Sequence, residues 1–92
     1  MSEIQLLTQF YKALGDETRL QLIHLLAKQK PHNARCVGSL ADEIGTSVSN
    51  ISQHLHILKE LGLVQARRCG YKVHYYLIPE RFEHFQEMST SL

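Results

Sequence analysis

The stretch TSVSNISQHLHILKELG, residues 46–62, carries two patterns at once. Val48, Ile51, Leu55 and Leu58 recur at steps of three and four, which predicts a buried stripe along one helix. Ser47, Ser49, Asn50, Ser52, Gln53 and His56 stand between them. These are short or planar hydrogen-bonding groups, not the lysines and glutamates of a face that meets only water. Thr46 or Ser47 is the expected N-cap and Gly62 the expected stop. His54 follows Ile51 by three, so it is expected partly inside, as a hydrogen-bonded residue.

Upstream, a short helix is expected over about Val37 to Ile44, ending at Gly45, and Ile51 comes six residues after that glycine. This spacing suits two short helices that cross around a three- or four-residue turn. Ala41 allows close approach, Gly45 gives the turn its backbone freedom, and Ile51 fills the crossing point. Downstream, LVQARRCGYKVHYYLI changes period. Leu63-Val64 and then Val73, Tyr75 and Leu77 alternate around Cys69-Gly70, which predicts a β-hairpin with Gly70 in or near the turn. A helix-turn-helix followed directly by a hairpin is a winged helix-turn-helix.

The flanks complete the order. Residues 3–14 read as a helix with two apolar stripes, Ile4/Leu7/Tyr11/Leu14 and Leu6/Phe10/Ala13, so cover is expected from two sides. Gly15 should stop it and Asp16 should cap the next helix, which runs to about Lys28 with Leu20, Leu22, Ile23, Leu25 and Leu26 inward. KQKPHNAR, residues 28–35, reads as a polar connection broken by Pro31. Pro79 opens a last helix with Phe82, Phe85 and Met88 on one face. The expected fold is mainly α with a small β-hairpin wing, α-α-α-α-β-β-α, as a single domain over residues 1–92.

Length and composition bound the rest. A chain of 92 residues buries only about 60–65% of its extended surface, which invites a second subunit. No apolar run approaches the roughly 20 residues needed to cross a bilayer, and no signal pattern opens the chain, so a cytoplasmic location is expected. The two cysteines, Cys36 and Cys69, are too few for a disulfide framework and are expected as thiols. Net charge is only +1, but it is unevenly spread. Lys59, Arg67, Arg68 and Lys72 gather against the single Glu60, while Glu80, Glu83 and Glu87 outweigh Arg81 near the end.

These features converge on double-stranded DNA. An α-helix fits the major groove with its N-terminal residues at base edges, and hydroxyls and amides both donate and accept there. Ser47, Ser49, Asn50, Ser52, Gln53 and His56 are the candidates for groove contact. Arg67, Arg68 and Lys72, near the hairpin tip, are candidates for the backbone or the adjacent minor groove, where they position more than they specify.

With those residues in hand, the sequence resembles the ArsR/SmtB family of small winged-helix repressors over nearly its whole length. The likeness rests on ALGDETRLQLIHLL, on CVGSLADEIGTSVSNISQHLHILKELGLV and on the wing RRCGYKVHYYL. It implies a homodimer formed through the first and last helices, binding an inverted-repeat operator and blocking transcription, with an inducer that weakens the complex. Many members of that family sense metals, and here the sequence departs from their patterns. The expected cysteine pair at the third helix is reduced to Cys36-Val37-Gly38, with His32 the nearest further donor. The ligand pair at the start of the last helix becomes Glu80-Arg81-Phe82, where Phe82 cannot ligate; Glu80, His84 and Glu87 share a face that could hold a divalent ion across a dimer, but a solvated face is the expectation. No cofactor is required. Thiol sensing is the other candidate: Cys69 stands beside Arg68 near the turn and Cys36 at a helix start, and both settings favour a thiolate. The pair should not bridge within one chain.

Two other classes were weighed. A protein-interaction module on the same scaffold, without its own operator, suits the low net charge and the aromatic pair Tyr75/Tyr76, expected to be exposed. An enzyme is not expected: the six histidines are dispersed, His24 among them between leucines, and no nucleophile motif or phosphate-cradling loop is present.

Overall fold

Helix boundaries fall where capping chemistry puts them. The computed structural model describes residues 1–29 and 35–92, with helices α1 (Glu3–Leu14), α2 (Glu17–Lys28), α3 (Val37–Ile44), α4 (Val48–Glu60) and α5 (Pro79–Thr90). Ser2 and Gln5 form a reciprocal capping box on α1. Asp16 Oδ1 accepts from the Arg19 amide at 3.0 Å and caps α2. Ser47 Oγ accepts from the Asn50 amide at 3.0 Å and caps α4. Between α3 and α4, Gly45 turns the chain at φ 83°, a left-handed conformation that costs glycine little. Its amide and that of Thr46 both donate to the Ala41 carbonyl, closing the end of α3.

Strands β1 (Arg35–Cys36), β2 (Val64–Cys69) and β3 (Lys72–Leu77) form an antiparallel sheet in the order β1-β3-β2. The hairpin is the expected wing, with Cys69 opposite Lys72 and Val64 opposite Leu77. The short β1 is an addition to the expected α-α-α-α-β-β-α order. It pairs Arg35 with Tyr75 and Cys36 with His74. Gln29 holds it there: its Nε2–H donates to the Tyr75 carbonyl at 2.8 Å and its Oε1 accepts from the Arg35 amide at 2.9 Å. The Arg35 side chain then donates to Ser39 and pairs with Glu43 of α3. The connection expected over residues 28–35 falls mostly on 30–34, so Pro31 and His32 lie outside the described residues.

One apolar core joins every helix. Leu7, Phe10 and Ala13 of α1, Leu22 and Leu26 of α2, Leu40 and Ala41 of α3, Ile51, Leu55 and Leu58 of α4 and Phe85 of α5 are all buried. Phe10 stacks on Phe85 with ring centroids 4.3 Å apart and meets Phe82 edge-on at 6.3 Å. Several stripe assignments need correction. Val48 is 53% exposed, because the first residue of α4 projects off the turn before the helix reaches the core. Leu20 is 50% exposed on α2, and His24 is exposed there too; Ile4 and Tyr11, 65% and 50% exposed, are the part of the double stripe on α1 that one chain leaves uncovered. Tyr75 and Tyr76 are half-buried; the aromatic left open is Tyr71 at the hairpin turn.

A clasp fixes the exit of α4 to α5. Arg81 Nε donates to the Leu61 carbonyl at 2.9 Å while its guanidinium lies 4.7 Å from the centre of the Phe85 ring. Gly62 leaves room for this: φ is 76°, and a Cβ there would stand 3.1 Å from Arg81 Nε.

Candidate nucleic-acid interface

The polar residues of α4 divide by what their side chains already do. Ser47 is spent on the cap. Asn50 is half-buried, and its Nδ2–H donates to Thr46 Oγ1 at 3.1 Å, bracing the turn. Ser49, Ser52 and Gln53 are exposed on the outer side of the first two turns, free to meet a base edge. His56 is exposed one turn further on, with Nε2 hydrogen-bonded to the Glu60 carboxylate. Three and four residues after Gln53 and Ser52 it shares their helix face, and it also lines a groove with Met1 and with Leu6 of α1.

His54 is partly buried, as expected, and its partner is Arg19, which the reading of the residues alone left without a task. Arg19 Nη1 lies 3.0 Å from His54 Nδ1, within hydrogen-bond distance. Arg19 Nε–H donates to the Ala13 carbonyl at 2.7 Å, and Nη2 lies 3.8 Å from Asp16 Oδ2. One guanidinium therefore joins the end of α1, the start of α2 and the middle of α4. The Arg19 amide bonded to Asp16 holds that carboxyl below the ordinary aspartate range, against partial desolvation, with the Arg19 charge and His54 helping. The available signal was the Asp16–Arg19 spacing of three at a helix start.

The wing carries the cations. Its strands run from buried Val64 to exposed Cys69, about 20 Å at roughly 3.3 Å per residue. Arg67, Arg68 and Lys72 are all exposed there. Successive strand residues point to opposite faces, so Arg67 and Arg68 do not project together. Arg67 shares its face with Tyr76, and its guanidinium lies 5.2 Å from the centre of that ring.

Cys36 is half-buried at the start of α3, with no capping bond from its side chain, and Cys69 is exposed beside the turn. They lie two strands across and two residues along the sheet. At about 4.8 Å per strand and 3.3 Å per residue this sets them roughly 12 Å apart. A disulfide needs under about 7 Å, so they do not bridge within one chain. Glu80, His84 and Glu87 are exposed along α5. Among the described residues no group of three or more His, Cys, Asp or Glu side chains converges closely enough to hold a metal ion. No helix described here is long and apolar enough to cross a membrane.

The model for bacterial regulatory proteins of the arsR family matches residues 16–66, from the cap of α2 into the wing. The chain belongs to the arsR family. An HTH-type transcriptional regulator of Methanocaldococcus jannaschii is 34% identical over 92 residues, covering all of both chains. The arsenical resistance operon repressor of Escherichia coli is 41% identical over 71 residues, covering 77% of this chain and 58% of the repressor. A homodimeric winged helix-turn-helix DNA-binding domain from Mycobacterium bovis superposes with a TM-score of 0.74 at 29% identity, covering 96% of this chain and 79% of that one. This ArsR-family chain is a DNA-binding transcriptional regulator with a winged helix-turn-helix fold. The free-standing protein-interaction module is not favoured, and Tyr75 and Tyr76 do not form the exposed pair it relied on.

Proposed function

We propose that the chain is a repressor that binds an inverted-repeat operator as a homodimer. The observation that carries this reading is the exposed set Ser49, Ser52 and Gln53 at the start of α4, next to a wing bearing Arg67, Arg68 and Lys72. α4 supplies sequence readout and the wing supplies phosphate contacts. The dimer is supported by apolar surface on the terminal helices: Ile4, Tyr11 and Leu92 line one groove. Two subunits related by a twofold axis set two α4 helices about one DNA turn apart. The reading runs on hydrogen bonds and ion pairs and calls for no cofactor.

Selection from genomic fragments followed by footprinting tests it. The expected result is a near-palindrome protected on both halves, with affinity falling steeply as salt rises. Protection of one unsymmetrical half-site would overturn the dimer. Gln53→Ala should relax base preference by about 1–3 kcal/mol, whereas loss of wing cations weakens all sequences alike. Equal loss on every DNA in the Gln53 variant would remove α4 from base readout.

Thiol control of that binding is a second reading, favoured by the exposure of Cys69 beside the turn, opposite Lys72. Mild oxidant should weaken operator binding by the unaltered protein and not by a Cys36→Ser, Cys69→Ser variant. Equal responses from the two would end it.

A further inference from the structure

Beyond the short β1, a cavity of about 550 Å3 opens between α2, the end of β3 and the start of α5. Its size falls in the roughly 300–1,000 Å3 range of small-molecule sites. Ile23 and Ala27 of α2, Leu77 of β3 and Pro79 and Phe82 of α5 give it apolar walls, and no charged side chain is among the described lining residues. Gln29 borders it, but both ends of its amide are taken up by Tyr75 and Arg35. Among the described lining residues Tyr76 is the one that carries a hydroxyl. The same Tyr76 ring carries the wing residue Arg67 on it, 5.2 Å from guanidinium to centroid. One side chain thus borders both the cavity and a cation of the proposed DNA contact. The apolar residues that call for a second subunit, Ile4, Tyr11 and Leu92, line a different groove.

We propose that this cavity is an effector site for an uncharged, largely apolar molecule of one or two rings with a single polar atom, and that its occupancy weakens DNA binding. This rests on the DNA-binding reading above. An apolar ring fits walls that offer no counter-charge, because a charged ligand would lose its hydration there without a partner. The polar atom meets the Tyr76 hydroxyl. A ligand against the Tyr76 ring favours wing arrangements in which that ring, and Arg67 with it, sits differently from the arrangement that holds DNA. Binding shifts the balance only by its difference in affinity for the two arrangements.

The full-length chain, with side-chain methyl groups observed by NMR, is titrated with indole and separately with 2-naphthol. Saturable shifts confined to Ile23, Leu26, Ala27 and Leu77 are expected. Ala27→Trp should abolish them, since exposed Ala27 tolerates a larger side chain that fills the cavity. Operator binding is then measured on a selected fragment. Saturating probe should weaken it roughly tenfold, and DNA should weaken probe binding by the same factor. Ala27→Trp, whose indole occupies the cavity, should bind that fragment more weakly than the unaltered protein and show no further loss on addition of probe. Absence of saturable shifts, or shifts that persist in Ala27→Trp, overturns the site. Localised binding that leaves operator affinity unchanged overturns its effector role. Failure of the unliganded protein to select any DNA fragment defeats the functional reading itself, while the methyl titration still decides whether the cavity binds.

Discussion

The helix-turn-helix and the pair of terminal helices solve the burial problem in opposite ways. In α3 and α4, Leu40, Ile51, Leu55 and Leu58 are fully buried by the chain's own residues. On α1 and beyond α5, Ile4, Tyr11 and Leu92 remain 65%, 50% and 74% exposed. The reading end is thus complete in one subunit, and its stability is intramolecular. In the proposed dimer the opposite end would gain from association, and its stabilisation would then depend on protein concentration through mass action.

Four outcomes break or sharpen this contrast, in descending size. Leu55→Ala should cost about 2–5 kcal/mol, as for other fully buried leucines, and denaturant titration should return a similar loss at low and high protein concentration. A penalty that vanishes on concentration would mean that this end also leans on its partner. Ile4→Glu should raise the dimer dissociation constant by at least tenfold, about 1.4 kcal/mol, with helical circular dichroism retained. Sedimentation equilibrium reads this, and an unchanged constant would move the subunit contact away from α1.

Asp16→Ala removes the α2 cap and should cost about 1 kcal/mol by thermal or chemical unfolding. Because folding depresses the Asp16 pKa, its ionised form adds stability above the unfolded value of about 3.9. That contribution is lost as pH falls through the lower folded value. Asp16→Asn should therefore flatten the rise of stability with pH in the acid range. A slope identical to the unaltered protein would sever this carboxylate from the Arg19 junction. Smallest is the change in salt dependence. Arg67→Ala and Arg68→Ala should each lower the slope of log affinity against log salt by about 1 if both reach phosphates. Since they project from opposite faces of the hairpin, a reduced slope in only one would show which face of the wing meets the duplex.

Much of the architecture was legible because it is written in local chemistry. Gly15, Asp16, Gly45, Ser47 and Gly62 mark helix ends whose signals span only a few residues. The wing was legible from its change of period. What escaped depends on partners distant in sequence. The two-residue β1 has no periodicity to detect, and it is held by Gln29 and Tyr75 from other elements. Periodicity also says which residues share a face but not where cover ends, which is why it places Val48 and Leu20 inside although both are exposed. At the candidate interface, residue type singles out α4. It did not reveal that Asn50 is tied to Thr46, or that His54 meets an arginine 35 positions earlier.

The arginine gripping Leu61 and Phe85 gives α5 a mechanical task beyond filling space. It welds the tail of the DNA-reading rod to the base of the closing helix, so neither can swivel without dragging the other. In the proposed dimer, a torque applied to the closing helix by the second subunit would be delivered at the heel of that rod, a full helix length from Ser49 at its start. A small twist there sweeps the reading tip through a larger arc.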